Sequence, residues 1–147
     1  MKLLSFLQDV GPDHRGRYLS DIWKFGDDEI ERTHDFIQWV FPLAEPSGAQ
    51  PDAPVLEPAE IDLIHKSGPA TMNVERSTDW FLGFLSRSPK WLAAYDHNHL
   101  RITRMIRSNR LLLGELAAES ARSRVMQLAG KASGKISDEA LGFWKRA

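Results

Sequence analysis

The chain has 147 residues and a mass of 16.7 kDa, the size of one domain, and 42% of its residues are hydrophobic and 27% are charged. This composition is typical of a soluble globular protein. The lack of cysteine excludes disulfides, thiolate metal sites and a cysteine nucleophile. Residues 1–100 hold nine Lys/Arg against sixteen Asp/Glu, whereas residues 101–147 hold ten against four. The basic C-terminal third therefore faces an anionic ligand, a nucleic acid or the acidic part of the same chain, and all three alternatives stay open.

The amino terminus indicates neither a signal peptide nor a membrane anchor. No apolar run approaches the roughly 18 residues that span a bilayer. The apolar start at residues 1–7 is too short for the hydrophobic region of a signal peptide and resembles a short amphipathic segment. We therefore expect one cytoplasmic domain over residues 1–147, with irregular structure at 1–17 and 130–136.

Apolar residues recur at helical spacing along most of the chain, and no run alternates as a half-buried strand does. Asp27 and Ser137 stand where helix N-caps belong, and Pro58 stands at a first helical position. The predicted helices, in chain order, cover residues 19–25, 27–39, 57–66, 70–86, 98–109, 112–129 and 137–144, with one short turn at 89–92. The pattern predicts an all-α, single-domain bundle of six or seven helices.

One long connection interrupts this pattern between residues 42 and 58. The segment carries five of the eight prolines, which fix φ and remove backbone donors, so it is neither helix nor central strand. Loops of this length are often functional, although an inert, proline-stiffened connector remains the simpler alternative.

The predicted helix at 27–39 carries a polar edge beside its apolar face. Asp27, Glu31, His34 and Gln38 fall on this edge when the residues are placed at helical spacing. Trp39 points nearly opposite to the main apolar face, which indicates that the helix is contacted on two sides.

A second polar edge follows the predicted helix at 98–109. His97, Arg101 and Arg104 are spaced at i, i+4 and i+7, and Asn98 lies beside them. Guanidinium groups suit bidentate recognition of carboxylates and phosphates. The two polar edges either bind each other, through Asp27 or Glu31 and the arginines, or together line a ligand pocket.

Signatures of catalysis and metal binding are weak in this sequence. No glycine-rich phosphate loop, nucleophile elbow or His-Glu-x-x-His motif occurs. Asp96 to His99 offers donors at a helix entrance, but a solvated or capping role is far more common for such residues. No catalytic residue, metal site or cofactor is therefore predicted.

Two strings resemble the opioid growth factor receptor conserved region. The first runs from His34 to Leu43 (HDFIQWVFPL), followed by Glu45 and Pro46, and the second runs from His97 to Ile106 (HNHLRITRMI). A weaker similarity covers residues 80–84 (WFLGF), between the two strings. The resemblance spans about residues 18 to 128 and implies a receptor-like protein. The vertebrate members are described as receptors for an enkephalin-type peptide, associated with the nucleus and its membrane, and carry a long repeat-rich tail. The chain resembles a short, single-domain, bacterial-type member.

We therefore expect a non-enzymatic domain that binds a peptide or a small anionic ligand between the two signature helices. Arg101 and Arg104 would bind the anion, with Trp39 or Trp80 as an apolar wall. The candidate ligand-binding residues are His34, Gln38, Trp39, His97, Asn98, Arg101 and Arg104. One alternative is a nucleic-acid-binding bundle that uses Arg104, Arg107, Arg110, Arg122 and Arg124. Another is a small enzyme with His34 or His97 as its general base.

Overall fold

The computed structural model describes all residues from 1 to 147 and contains helices but no strand, which confirms the predicted all-α fold class. The nine α-helices are α1 (Lys2–Leu7), α2 (Leu19–Ile22), α3 (Asp27–Arg32), α4 (Ile37–Val40), α5 (Pro58–His65), α6 (Gly68–Arg87), α7 (Asn98–Leu112), α8 (Glu115–Ala129) and α9 (Asp138–Arg146). None of them combines the length and apolar character that crossing a membrane requires.

The helix count exceeds the predicted six or seven for two reasons. The amphipathic start of the chain forms α1, where irregular structure was expected, because Leu3, Phe6 and Leu7 are buried in the core. The single helix predicted over residues 27–39 is in fact two helices, α3 and α4. The segment expected to be irregular at 130–136 contains a 3-10 turn over Gly130–Lys135.

The core forms around α6 and α7, the helices that carry the weaker family-like string and the second signature string. Helix α7 packs against α5, α6, α8 and α9, and α1 packs against α4, α5 and α6. Phe81 and Phe84 of α6 and Ile102 and Ile106 of α7 are fully or almost fully buried. Because α7 has neighbours on most sides, the polar side chains along it lie next to other elements rather than in open solvent.

The helix ends follow local sequence signals. The Ser67 hydroxyl accepts from the Ala70 amide at the start of α6, and the Ser137 hydroxyl accepts from the Ala140 amide at the start of α9. Gly114 separates α7 from α8 with φ at 110°, a left-handed conformation that favours glycine. These signals explain why the predicted limits of α6 and α9 agree closely with the observed ones.

The predicted helix at 27–39 is interrupted because tertiary contacts capture its carbonyl groups. Thr33 is extended, with φ −93° and ψ 124°. The Arg101 guanidinium donates to the Ile30 carbonyl at 2.8 Å and to the Thr33 carbonyl at 2.7 Å. In an uninterrupted helix the Ile30 carbonyl would accept from the amide of His34 instead. The Arg101 guanidinium of α7 therefore ends α3. Residue spacing within 27–39 cannot reveal this contact.

The proline-rich segment, residues 41–57, connects α4 to α5 without regular structure, as predicted. Its first part is attached to α7, because the Ser108 hydroxyl donates to the Pro42 carbonyl at 2.8 Å and Arg107 forms an ion pair with Glu45. Its two ends are joined by a hydrogen bond from the Leu56 amide to the Leu43 carbonyl, at 2.9 Å. The segment is thus held beside the second polar edge.

Candidate functional site

A cavity of about 650 Å³ lies where α7, the α3–α4 junction and the proline-rich segment meet. Its volume is within the range of small-molecule sites. Residues from both family-like strings and from the intervening loop form its walls. The lining residues are His34, Ile37, Gln38, Leu43, Glu45, Pro46, Ser47, Gly48, Ala49, His97, Leu100, Arg101, Thr103, Arg104 and Arg107.

Arg101 lies at the base of this cavity and is held by the protein itself. It is 5% exposed, and besides the Ile30 and Thr33 carbonyls its guanidinium donates to Asn98 Oδ1 at 3.3 Å. Burial lowers the pKa of Arg101, and the nearby carboxylates of Glu31 and Asp96 oppose that shift. Since these contacts occupy three of the four N–H donors of the terminal nitrogens, the main role of Arg101 is to position α3 against α7.

Arg104 is one turn further along α7 and has a different environment. Its Nε donates to the Phe41 carbonyl at 2.8 Å, but neither terminal nitrogen has an acceptor or an acidic partner within the chain. Burial lowers the pKa of Arg104 to about 10, so the group remains a cation at neutral pH. The cavity wall therefore contains a half-buried positive charge whose outer donors are unsatisfied.

Gln38 adds an unsatisfied acceptor to the same cavity. The residue is 4% exposed, and its amide nitrogen donates weakly to the His34 carbonyl at 3.4 Å. Its Oε1 atom is buried without any hydrogen-bond partner. Buried polar atoms are nearly always paired, so this orphaned acceptor beside the cavity is an unusual feature of the wall.

His34 and His97 face each other at the cavity, with ring centroids 5.3 Å apart. His97 Nε2 lies 3.3 Å from Glu31 Oε1, whereas the His34 ring forms no hydrogen bond within the chain. The pKa of His34 is lowered, chiefly by desolvation and then by electrostatic interactions with Arg101 and His97. His34 is therefore a neutral imidazole at neutral pH, able to donate and to accept.

Two of the seven predicted site residues do not line the cavity. Trp39 is buried on the other side of α4, where it packs edge-on to Phe6 with ring centroids 5.4 Å apart and is stacked on His14. Asn98 is fully buried and donates its side-chain amide to Glu31. Trp80, the other candidate apolar wall, packs against Phe36. The apolar wall is formed by Ile37, Leu43 and Leu100 instead.

The structure does not contain the ion pairs that were suggested between the two polar edges. Asp27 pairs with Arg87 of α6 at 3.0 Å, far from the cavity wall. Glu31 forms no ion pair with Arg101 or Arg104 and accepts from Asn98 instead. The two edges are joined mainly through backbone carbonyls, because the break in the predicted helix exposes those carbonyls to Arg101.

The arginines proposed for nucleic-acid binding are mostly neutralised by acidic neighbours. Arg107 pairs with Glu45, and Arg124 pairs with Asp79 at 2.7 Å. Arg110 and Arg122 both contact Glu119. These pairs favour the interpretation in which the basic C-terminal third balances acidic groups of its own chain.

Sequence reasoning did not assign a role to several residues at the site. Residues 45–49 of the proline-rich segment form one wall, and Leu100 and Thr103 form part of another. Glu31, Asp96 and His97 form a second polar group near this site, with one ligand-type atom from each lying within 4.8 Å of the others. The length of the proline-rich segment was the one sequence signal that pointed to a functional loop.

Comparison with known proteins places the chain in a family. The family profile described as "Opioid growth factor receptor (OGFr) conserved region" matches residues 13–87, about half of the chain. The match includes the first signature string and the segment at 80–84, and the second string lies beyond it. No solved structure matched the chain.

Curated relatives support the same assignment. The chain is 32% identical to the opioid growth factor receptor of Rattus norvegicus over 125 residues, covering 71% of this chain and 21% of that protein. It is 31% identical to the opioid growth factor receptor-like protein 1 of Rattus norvegicus over 137 residues, covering 76% of this chain and 27% of that protein. For the human receptor the identity is 30%, with 71% of this chain and 18% of that protein covered. The chain thus spans about a fifth to a quarter of these relatives, and it belongs to the opioid growth factor receptor conserved region family.

Proposed function

We propose that this domain is a non-enzymatic, receptor-like binding module that takes a peptide or small anionic ligand into the cavity beside α7. The observation that carries the proposal is the half-buried Arg104 guanidinium at the cavity wall, whose terminal nitrogens have no partner within the protein. An anion in the cavity would accept charge-assisted hydrogen bonds from these nitrogens.

The other predicted residues take distinct parts in this proposal. His34 and His97 supply orienting hydrogen bonds at the cavity, whereas Arg101 and Asn98 act indirectly by holding its base. Leu43 and Leu100 provide apolar surface for the uncharged part of the ligand. Trp39 supports α4 from behind and does not contact the ligand.

The relatives' names suggest a first probe for this binding. Those proteins are named as receptors for an opioid growth factor, which makes a peptide with a terminal carboxylate a reasonable test ligand. A cytoplasmic location remains a prediction and rests on the cysteine-free composition.

The experiment compares an enkephalin-type pentapeptide carrying a free C-terminal carboxylate with the same peptide as its C-terminal amide, and includes inorganic phosphate as a smaller anion. Calorimetry gives the affinities, and amide shifts in a 15N-labelled sample locate the site. We expect the carboxylate form to bind at least about tenfold more tightly than the amide, since charge-assisted hydrogen bonds are the strong ones.

Two variants test whether Arg104 is the group that binds the carboxylate. Arg104→Met should remove the preference for the carboxylate, whereas Arg124→Met, on the distant face of α8, should preserve it. Equal binding of the acid and amide peptides, or unchanged phosphate binding by Arg104→Met, would contradict the proposed anion site.

A second function is favoured by one observation. His34 is a neutral imidazole at the cavity, and a general base must be unprotonated to accept a proton. If the domain were a small hydrolase, it would cleave a nitrophenyl ester or phosphate ester, and His34→Gln would abolish that turnover. Turnover unaffected by this substitution would exclude His34 as the base for that reaction.

A further inference from the structure

A second polar group, separate from the Arg104 wall, brings metal-binding side chains together near the cavity. Glu31 comes from the last turn of α3, and Asp96 and His97 come from the residues just before α7. One ligand-type atom from each of the three residues lies within 4.8 Å of the other two. The three residues come from two distant segments of the sequence, so no sequence motif contains them all.

Two of these atoms are as far apart as two ligand atoms of one tetrahedral zinc ion. His97 Nε2 lies 3.3 Å from Glu31 Oε1. Two ligands of a tetrahedral zinc ion with bonds of about 2.0–2.1 Å are separated by about 3.3 Å. A cation between these atoms therefore requires no large rearrangement of either residue.

One buried residue orients both carboxylates. The Asn98 side-chain amide donates to both oxygens of Glu31, at 3.1 Å and 3.4 Å, and its backbone amide donates to Asp96 Oδ1 at 2.9 Å. Asn98 is itself fixed, because its Oδ1 accepts from Arg101 and the residue is fully buried. Outer partners of this kind are what hold carboxylate ligands in position at metal sites.

The negative charge of this group is only partly balanced by its surroundings, because Arg101 interacts electrostatically with both carboxylates but forms no ion pair with them. Neither carboxylate has a lysine or arginine within ion-pair distance, and the one basic partner is the His97 ring. Arg101 is nearby, but it donates to backbone carbonyls and to Asn98 rather than to the carboxylates. Two carboxylates and one imidazole around a single point leave a place for a divalent cation.

We propose that Glu31, Asp96 and His97 form a site for one zinc-class divalent cation near the ligand cavity, with a water molecule completing the coordination. The mixed imidazole and carboxylate ligands favour zinc over magnesium, which prefers oxygen ligands alone. A cation here would connect α3 to the start of α7, the same junction that Arg101 stabilises. The proposed cation site shares His97 with the cavity lining but uses none of the donors or acceptors of Arg104 and Gln38.

The test is calorimetric titration of the full chain, freed of any polyhistidine tag, with zinc chloride alone in a non-chelating buffer. We expect one zinc per chain and an increase in the unfolding temperature when zinc is present. Glu31→Gln and Asp96→Asn each retain one side-chain oxygen that can accept from Asn98, so both should fold while losing at least about tenfold in zinc affinity. His97→Ala should lose the affinity as well.

The matched controls are Glu29→Gln, on the exposed side of the same helix, and His65→Ala, away from the site. Both should bind zinc as the unchanged chain does. No zinc binding, equal losses in Glu31→Gln and Glu29→Gln, or magnesium binding that His97→Ala leaves unchanged would overturn the proposal.

Discussion

Arg101 and Arg104 leave α7 one turn apart, yet the protein satisfies the first guanidinium and leaves the second open. Arg101 donates to three protein oxygens, whereas Arg104 donates to one and presents its two terminal nitrogens to the cavity. The same side chain, in one short motif, thus has its donors paired with protein oxygens at one position and its terminal nitrogens without a protein partner at the next.

The first prediction concerns stability. Arg101→Met should destabilise the fold by about 2–4 kcal/mol, because two carbonyls at the α3–α4 junction lose charged donors in a buried place. Arg104→Met should change the free energy of unfolding by less than about 1 kcal/mol, since the lost hydrogen bond to Phe41 is offset by removal of a charge that burial disfavours. Urea denaturation of both variants measures the difference.

Arg107→Met is the control for these two variants. Arg107 is exposed and pairs with an exposed glutamate, a type of contact that contributes little to stability. Equal destabilisation by Arg101→Met and Arg104→Met would show that both arginines are structural and would weaken the case for a ligand at Arg104.

The helical fold could be predicted from the sequence because its signals are local. Ser137 caps α9, as its residue type predicts, but the boundary between α7 and α8 lies at Gly114, inside the helix that was predicted over residues 112–129. The break at Thr33 could not be predicted in this way, because it depends on a guanidinium 68 residues further along the chain. Helix propensity and residue spacing carry no information about such a contact.

The candidate site was predicted in part. Helical spacing correctly brought Arg104 and Gln38 to one surface, but the helix wheel placed Gln38 and His34 on one continuous helix, which α3 and α4 do not form. The wheel could not show that Trp39 faces the N-terminal segment instead of the cavity, because that depends on where α1 packs. Five of the seven predicted site residues line the cavity; whether they bind a ligand remains a prediction.

The second prediction concerns acid stability. Burial alone would raise the pKa of Asp35, but the charges and hydrogen bonds of Arg17 and Arg15 outweigh it and lower the pKa. A carboxyl group with a lowered folded pKa stabilises the protein above its unfolded pKa, and that contribution is lost as pH falls through the folded value. Asp35→Asn should therefore cost about 1–3 kcal/mol at pH 7 and progressively less below about pH 4.

Urea denaturation at pH 7 and at pH 3 measures the free energies of unfolding of Asp35→Asn and of the unchanged protein. The difference between them should be smaller at pH 3. Asp52→Asn is the control, because Asp52 is exposed in the proline-rich segment and makes no ion pair. A constant difference between Asp35→Asn and the unchanged protein across this pH range would mean that the Asp35 charge does not account for the effect.

The third prediction concerns His34. Its folded pKa is lowered by burial, with smaller contributions from Arg101 and His97, while Glu31 and Asp35 oppose the shift. Protonation of His34 therefore favours the unfolded chain, and its contribution makes stability fall as pH drops from about 6.5 toward the lowered value. NMR titration of the His34 ring should give a pKa below that of a model peptide, and Arg101→Met should raise it.

Addition of an anion that binds at Arg104 should also raise the pKa of His34, because the anion brings a negative charge into the cavity that this ring lines. The titration is therefore also a measure of ligand binding. A His34 pKa at or above about 6.5 in the free protein would contradict the lowered pKa and the neutral imidazole.

The fourth prediction concerns the attachment of the proline-rich segment to α7. The buried Ser108 hydroxyl donates to the Pro42 carbonyl, at the point where the chain leaves α4 to form a wall of the cavity. Ser108→Ala should cost about 1 kcal/mol and, more specifically, should speed hydrogen exchange in residues 43–49, because this wall loses one of its few fixed attachments. Helices α6 and α8 should exchange as before.

Ser120→Ala, at an exposed position of α8, is the matched control. A uniform increase in exchange across all helices would indicate global destabilisation instead, and an unchanged loop would mean that Arg107 and Arg104 suffice to hold the cavity wall in place.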